Sequence, residues 1–307
     1  MVQMEARSGR NLTMQNTLVE RAIPLSSPQE WRQALTGIPH SFFHTWEHSY
    51  AMHLTHHQPA YLYCLESNGV RIVCPFYERP FDEYIDIATP LGFSGFTGNG
   101  SIPELPKRWR EFALRRGYIC AFVNQHPLFS HDFLFLPKDT YPLKTIHIFK
   151  TSLGIEKLWL NCSEARRRAL RRWQEKCSAN VVDRDSISKF LLANYRDFFR
   201  RKHAASAYNY TPETIQFLLS LDHIVLTGAV KGNALEAVHM SAYTPYVAEY
   251  LFNVSLPGLQ HHSAGLIWQA LTDVQRRSIP FLNLGGGLAD RDSMDEFKRR
   301  FGAKRYP

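Results

Sequence analysis

The chain has no long hydrophobic run. Across its 307 residues the apolar stretches fall far short of the ~20 residues needed to span a bilayer, so no transmembrane helix is expected. Its first residues, MVQMEARSGRNLTMQN, lack an apolar core segment, which argues against a secretory signal. Residues 1–20 are expected to form a disordered leader. Cysteine is scarce: Cys64, Cys74, Cys120, Cys162 and Cys177 are odd in number and contain no CxxC pair. A disulfide framework is therefore not expected, and a reduced, cytoplasmic setting is. There is no Walker A loop, which argues against that class of nucleotide site, and no G-x-S-x-G elbow, which argues against the hydrolase serine. Apolar content of 44% and aromatic content of 13% supply a substantial core.

The positive charge is concentrated. Of a net +8, residues 164–202 carry 12 basic and 5 acidic residues, while residues 1–163 carry 15 and 14. The segment opens Glu164-Ala-Arg-Arg-Arg-Ala-Leu-Arg-Arg-Trp173. A local basic patch of this kind suits a polyanionic partner, and Arg166 and Arg168 are candidate contacts. A solvated amphipathic helix is the alternative.

One order of elements occurs twice, about 163 residues apart. YLYCLESNGVRIVCPFY (61–77) and IVLTGAVKGNALEAVHMSAY (224–243) each read as a β-hairpin closed by a Gly-containing turn. EYIDIATPLGFSG (83–95) parallels VAEYLFNVSLPG (247–258), a strand with an inner acid and then a loop. Helices follow at Trp109 to Arg116 and Trp268 to Arg277, each leading into an apolar strand, 118–123 and 281–284. Four matched elements in one register argue for duplication of an α/β domain. The expected first domain is 21–150 and the second 151–307, with a C-terminal tail able to pack back on the first. Residues 28–57 read as helical, as do 163–178, 186–202 and 212–220, with Thr211 as an N-cap.

Several constellations could carry chemistry. His44-Thr-Trp-Glu47-His48 matches H-x-x-E-H, but its Phe42, Phe43, Trp46 and Tyr50 look like a buried helix face, and no metal site is expected. The loop Gly92 to Gly100, centred on Gly95, could offer backbone N–H groups to a ligand or be a surface loop. Asp86 and Glu249 are acids inside otherwise apolar strands and are candidate proton acceptors, although the polar face of an alternating strand would explain either one. Arg201, Tyr208 and Tyr210 form a basic-then-aromatic segment able to hold phosphate by charge and a sugar or peptide by stacking. The closing segment, FLNLGGGLADRDSMDEFKRRFGAKRYP, runs from a strand into Gly285, Gly286 and Gly287 and then a short helix bearing Phe297 and Lys298. Open backbone N–H groups beside a fixed ammonium suit a carbonyl-bearing or anionic ligand.

Taken in order, Ser41-Phe-Phe-His-Thr-Trp46, Thr89-Pro-Leu-Gly-Phe-Ser-Gly95, Arg166 to Arg172, Tyr208-Asn-Tyr-Thr-Pro-Glu213, Asn283-Leu-Gly-Gly-Gly287 and Phe297-Lys-Arg-Arg-Phe-Gly302 make the chain resemble the FemAB-like aminoacyltransferases. The resemblance runs from about Ser41 to Pro307, and its last two elements are the most specific. It implies an α/β (α+β) fold of two tandem GNAT-like domains, each a mixed, mostly antiparallel sheet flanked by helices. It also implies transfer of an aminoacyl group from aminoacyl-tRNA to an amine, on a peptidoglycan precursor or a peptide-like natural product that can carry phosphate. No tightly bound cofactor is implied. The family's Phe-Lys pair maps onto Phe297 and Lys298, and its acceptor-binding Arg and Tyr onto Arg201 and Tyr208. tRNA would lie along 164–202. Two departures stand out. The long coiled-coil arm of larger members is missing, and the CoA-binding loop of true N-acetyltransferases survives only as Gln260-His-His-Ser-Ala-Gly265. Acyl-CoA is the alternative donor, and an RNA-binding module without activity the non-enzymatic alternative.

Overall fold

The computed structural model describes residues 18–129, 137–180, 183–287 and 292–306. The first sheet contains β1 (Val19–Pro24), β2 (Ala60–Ser67), β3 (Val70–Phe81), β4 (Tyr84–Ala88), the two-residue β5 (Thr97–Gly98) and β6 (Tyr118–Phe122). Its order is β1-β2-β3-β4-β6, with β5 on β3. All pairs are antiparallel except β4 with β6. The hairpin β2–β3 turns at Asn68 and Gly69, both at positive φ (50° and 79°), the geometry a two-residue turn demands. Helices α1 (Pro28–Leu35), α2 (Trp46–His56) and α3 (Leu105–Arg115) cover this sheet. The helix expected over 28–57 is in fact two. The chain leaves α1 through Gly37, at φ 76°, and Pro39 two residues on cannot donate a helical hydrogen bond.

The second sheet contains β7 (Ile146–Lys150), β8 (Ser178–Asn180), β9 (Ile224–Lys231), β10 (Ala234–Tyr243), β11 (Ala248–Ser255), β12 (Phe281–Gly286) and β13 (Lys304–Tyr306). Its order is β13-β7-β12-β11-β10-β9-β8, and only β11 with β12 is parallel. Its helices are α4 (Ile155–Asn161), α5 (Glu164–Lys176), α6 (Arg184–Arg201), α7 (Pro212–Ser220), α8 (His262–Arg276) and α9 (Ser293–Arg299). The repeated order of hairpin, strand, helix and strand is thus present twice, with the parallel pair at the same place in each sheet. Three details differ from expectation. β1 begins at Val19, inside the expected leader, whose residues 1–17 lie outside the described residues. β7 precedes position 151 yet pairs with β12. The C-terminal tail does not return to the first sheet: Lys304–Tyr306 pairs with β7.

The two halves share a core. Phe42, Phe43 and Met52 from the first pack with Ile187, Tyr195, Ile215 and Phe252 of the second. Thr55 and Thr214 hydroxyls meet at 2.8 Å between α2 and α7, and Thr244 Oγ1 donates to His40 O at 2.7 Å. Such shared burial fixes the relative placement of side chains from both sheets. No helix among the described residues is long and apolar enough to cross a membrane.

Candidate active site

The glycine turn and α9 make one unit. β12 ends in Gly285, at φ 67°, and Gly286, where an added Cβ would lie 2.7 Å from Thr145 O. Asp292 caps α9 by accepting from Asp295 N at 2.7 Å, and His147 of β7 is hydrogen-bonded to Asp295 Oδ1 at 2.7 Å. So anchored, α9 places Lys298 beneath the turn. Its Nζ donates to Leu284 O at 2.5 Å and Gly286 O at 2.6 Å, and the residue is only 7% exposed. Two of three ammonium protons are thereby used, and the ring of Tyr250 lies 6.0 Å away. Burial lowers the Lys298 pKa to about 8, against the opposing pull of Asp292 and Asp295. Phe297 packs edge-on to Phe301, and the buried Arg166 guanidinium lies over both rings at 4.4 and 4.3 Å. Arg166 also donates to Phe297 O at 3.1 Å. It is thus a clamp on α9, while Arg168 on the same helix is exposed.

Glu249 of β11 stands beside Asn283 of β12 in the parallel pair. It is 1% exposed, and both of its oxygens are engaged: His126 Nε2 lies 2.9 Å from Oε1, and Asn283 Nδ2 donates to Oε2 at 2.9 Å. Burial raises its pKa, while His126 and Asn283 oppose the shift. Asn283 Oδ1 in turn accepts from Gly285 N at 2.8 Å. Asp86, the corresponding acid of the first sheet, accepts from Arg79 through both oxygens at 2.7 Å. No hydrogen bond joins it to the Lys298 group among the described residues.

Tyr208 and Tyr210 belong to an aromatic cluster. Tyr210 stacks on Tyr195 at 5.5 Å, Tyr208 on Phe199 at 5.8 Å, and Tyr195 OH donates to Tyr208 O at 2.9 Å. Burial raises the pKa of both Tyr208 and Tyr250, and at Tyr250 the Tyr208 phenol adds a lesser push in the same direction. Arg201, at the end of α6, is exposed. The Gly95 loop is turned to its own chain: a Cβ on Gly95 would lie 2.3 Å from Gln125 Oε1, and Gln125 bonds the Phe96 N–H and C=O at 2.9 and 2.6 Å.

A cleft of about 220 Å³ lies between α2 and the β3–β4–β6 face, lined among others by Met52, His56, Arg79, Phe122, Gly92 and Ala207. Gly92 is followed by Phe93, which approaches the Gly285 position, and Ala207 by Tyr208. None of the residues lining the cleft belongs to the glycine turn or to α9. At the remnant of the CoA loop, the Trp173 indole lies against Gly265, where a Cβ would come within 2.1 Å of the ring. The N–H groups of His262 and Ser263 are already bonded to Leu259 O and Gln260 O.

Sequence reasoning did not single out His126, Tyr250 or the His147–Asp295 pair. His126 meets its partner across 123 residues, so no local spacing signals it. Tyr250 follows Glu249 and carried no motif of its own.

No family model matches the chain, and no curated protein sequence matches it. Its fold is nevertheless found among solved structures. The chain is similar to FemX, with a TM-score of 0.69 at 10% identity over 94% of each chain. It is similar to L-PGS from Bacillus licheniformis, with a TM-score of 0.58 at 11% identity, covering 91% of this chain and 89% of that one. A conserved protein of unknown function from Bacteroides thetaiotaomicron matches with a TM-score of 0.61 at 9% identity, over 94% and 96%. The chain therefore has the mixed α/β fold of FemX over nearly its whole length, the fold that its FemAB-like motifs imply.

Proposed function

We propose that this chain is an N-acyltransferase of the FemAB type. It moves an aminoacyl group from aminoacyl-tRNA to an amine of a peptidoglycan precursor or peptide-like natural product. The observation that carries this reading is the buried Lys298 ammonium held by two carbonyls of the glycine turn, with the ring of Tyr250 6.0 Å away. The similarity to FemX supports it.

The donor ester is already activated. The acceptor nitrogen attacks its carbonyl carbon, a C–N bond forms, and charge collects on the carbonyl oxygen. Lys298, with Nζ fixed by two carbonyls, has a proton left for that oxyanion. Collapse breaks the bond to the ribose oxygen, which leaves with the proton shed by the amine. We assign that proton to neither Asp86, which is paired with Arg79, nor Glu249, which is held by His126 and Asn283. We assign the acceptor to the cleft, whose Gly92 adjoins the Phe93 that reaches the Gly285 position, so Ala207→Phe, which narrows it, should raise the acceptor KM about tenfold while leaving donor binding within about twofold. Steady-state kinetics with each substrate varied in turn would check this.

tRNA lies along the exposed arginines of α5. Replacing Arg168, Arg171 and Arg172 together by Gln should weaken tRNA binding and cut the slope of log K against log salt by about 2–3. A salt series by filter binding reads it. Acetyl-CoA is the weaker donor candidate, because Trp173 occupies the face of Gly265. Offering a labelled aminoacyl-tRNA pool and acetyl-CoA in parallel tests the assignment. Label in an amide from the first supports it, and transfer from acetyl-CoA alone overturns it.

A further inference from the structure

We infer that His126, carried by the segment after β6 of the first sheet, is a positioning residue for the glycine turn of the second, acting through Glu249 and Asn283. The inference rests on the reading of that turn as the acyl-transfer site, but its geometry can be tested without it.

The hydrogen bonds form a single directed chain. Leu128 N donates to His126 Nδ1 at 3.2 Å, so the imidazole proton must sit on Nε2, where it is given to Glu249 Oε1. Glu249 Oε2 accepts from Asn283 Nδ2, and Asn283 Oδ1 accepts from Gly285 N. A carboxylate can only accept and a backbone N–H can only donate, so the Asn283 amide is oriented from both ends. His126, Glu249 and Asn283 are 0%, 1% and 1% exposed, so water cannot substitute for a lost partner without opening the core. Gly285 is the residue whose added Cβ would lie 3.8 Å from Lys298 Nζ, and its two neighbours, Leu284 and Gly286, supply the carbonyls that hold that ammonium. The chain therefore joins one half of the molecule to the loop that aims the ammonium in the other. Glu249 is not among the charges that shift Lys298, whose acidic partners are Asp292 and Asp295. Its influence passes through Asn283 and the backbone rather than through its field.

The readout is amide exchange at Gly285, followed by NMR in glycine-labelled protein, which needs no transfer assay. His126→Leu should speed Gly285 exchange tenfold or more. Asn283→Asp sets two carboxylates together and should do the same or prevent folding. The double change Glu249→Gln with Asn283→Asp keeps every donor facing an acceptor: His126 to Gln, Gln to Asp, and Gly285 N–H to Asp. It should restore exchange and turnover to within threefold of wild type. A folded His126→Leu protein with unchanged Gly285 exchange would overturn the inference. If His126→Leu does not fold, the paired swap decides alone, and a double variant no better than Asn283→Asp overturns it. Restored Gly285 protection without any acyl transfer from wild type would leave the positioning network intact and sink the proposed reaction instead.

Discussion

Lys298→Met should lower turnover by about 10²–10³, the usual cost of losing one donor to an oxyanion, roughly 3–4 kcal/mol. The side chain is fixed by Leu284 O and Gly286 O, so little reorganisation is needed when charge develops on the substrate. Positioning of the two substrates is worth more, up to roughly 7–11 kcal/mol in favourable cases, which is why residual activity should be measurable. Met keeps the length and apolar stem of lysine but leaves both carbonyls without their donor. A modest fall in melting temperature is therefore expected alongside the kinetic loss. Lys298→Arg keeps the charge, yet its wide guanidinium does not fit the same pair of oxygens, and an intermediate rate is expected. Turnover at wild-type levels in a folded Met variant would remove Lys298 from the chemistry.

Gly302→Ala should destabilise the fold by about 3 kcal/mol, through left-handed strain plus overpacking. Gly302 sits at φ 73°, and its added Cβ would come within 2.3 Å of Asn161 O, a backbone atom that cannot swing aside. The same turn ends α9, brings Phe301 under Arg166 and leads to β13. Relief of the clash would move the helix that carries Lys298. Thermal unfolding should show a fall of roughly 4–6 °C for a chain of this size. A change under 2 °C would mean that the turn is looser than described.

Much of the fold was legible in local sequence. Asn68-Gly69 specified a hairpin, Thr211 capped α7 as expected by accepting from Thr214 N, and the repeated element order reappeared as two sheets with matching parallel pairs. That Lys298 would meet the glycine turn was legible because the two lie only 12–14 residues apart in sequence. What depends on long-range packing was not legible. The direction of Arg166 is set by Phe297 and Phe301, more than 130 residues later, so the basic run could not reveal that one arginine turns inward. The break between α1 and α2 was hidden by apolar residues on both sides of Gly37. The roles of Asp86 and Glu249 diverged for the same reason: Arg79 faces one across a hairpin, while His126 reaches the other from the opposite half.

Oxyanion stabilisation depends on the charge state of Lys298. Burial holds its pKa at about 8, and deprotonation removes the positive charge and the one N–H not already given to a carbonyl, so the rate must fall as pH rises through that value. The decisive measurement is the single-turnover rate of aminoacyl transfer between pH 6 and 9.5, corrected for spontaneous ester hydrolysis, for wild type and Lys298→Met. Wild type should show a descending limb near pH 8, and Lys298→Met a rate at least a hundredfold lower with that limb gone. A limb that persists in the variant, or a variant rate near wild type, would mean that Lys298 does not stabilise the oxyanion.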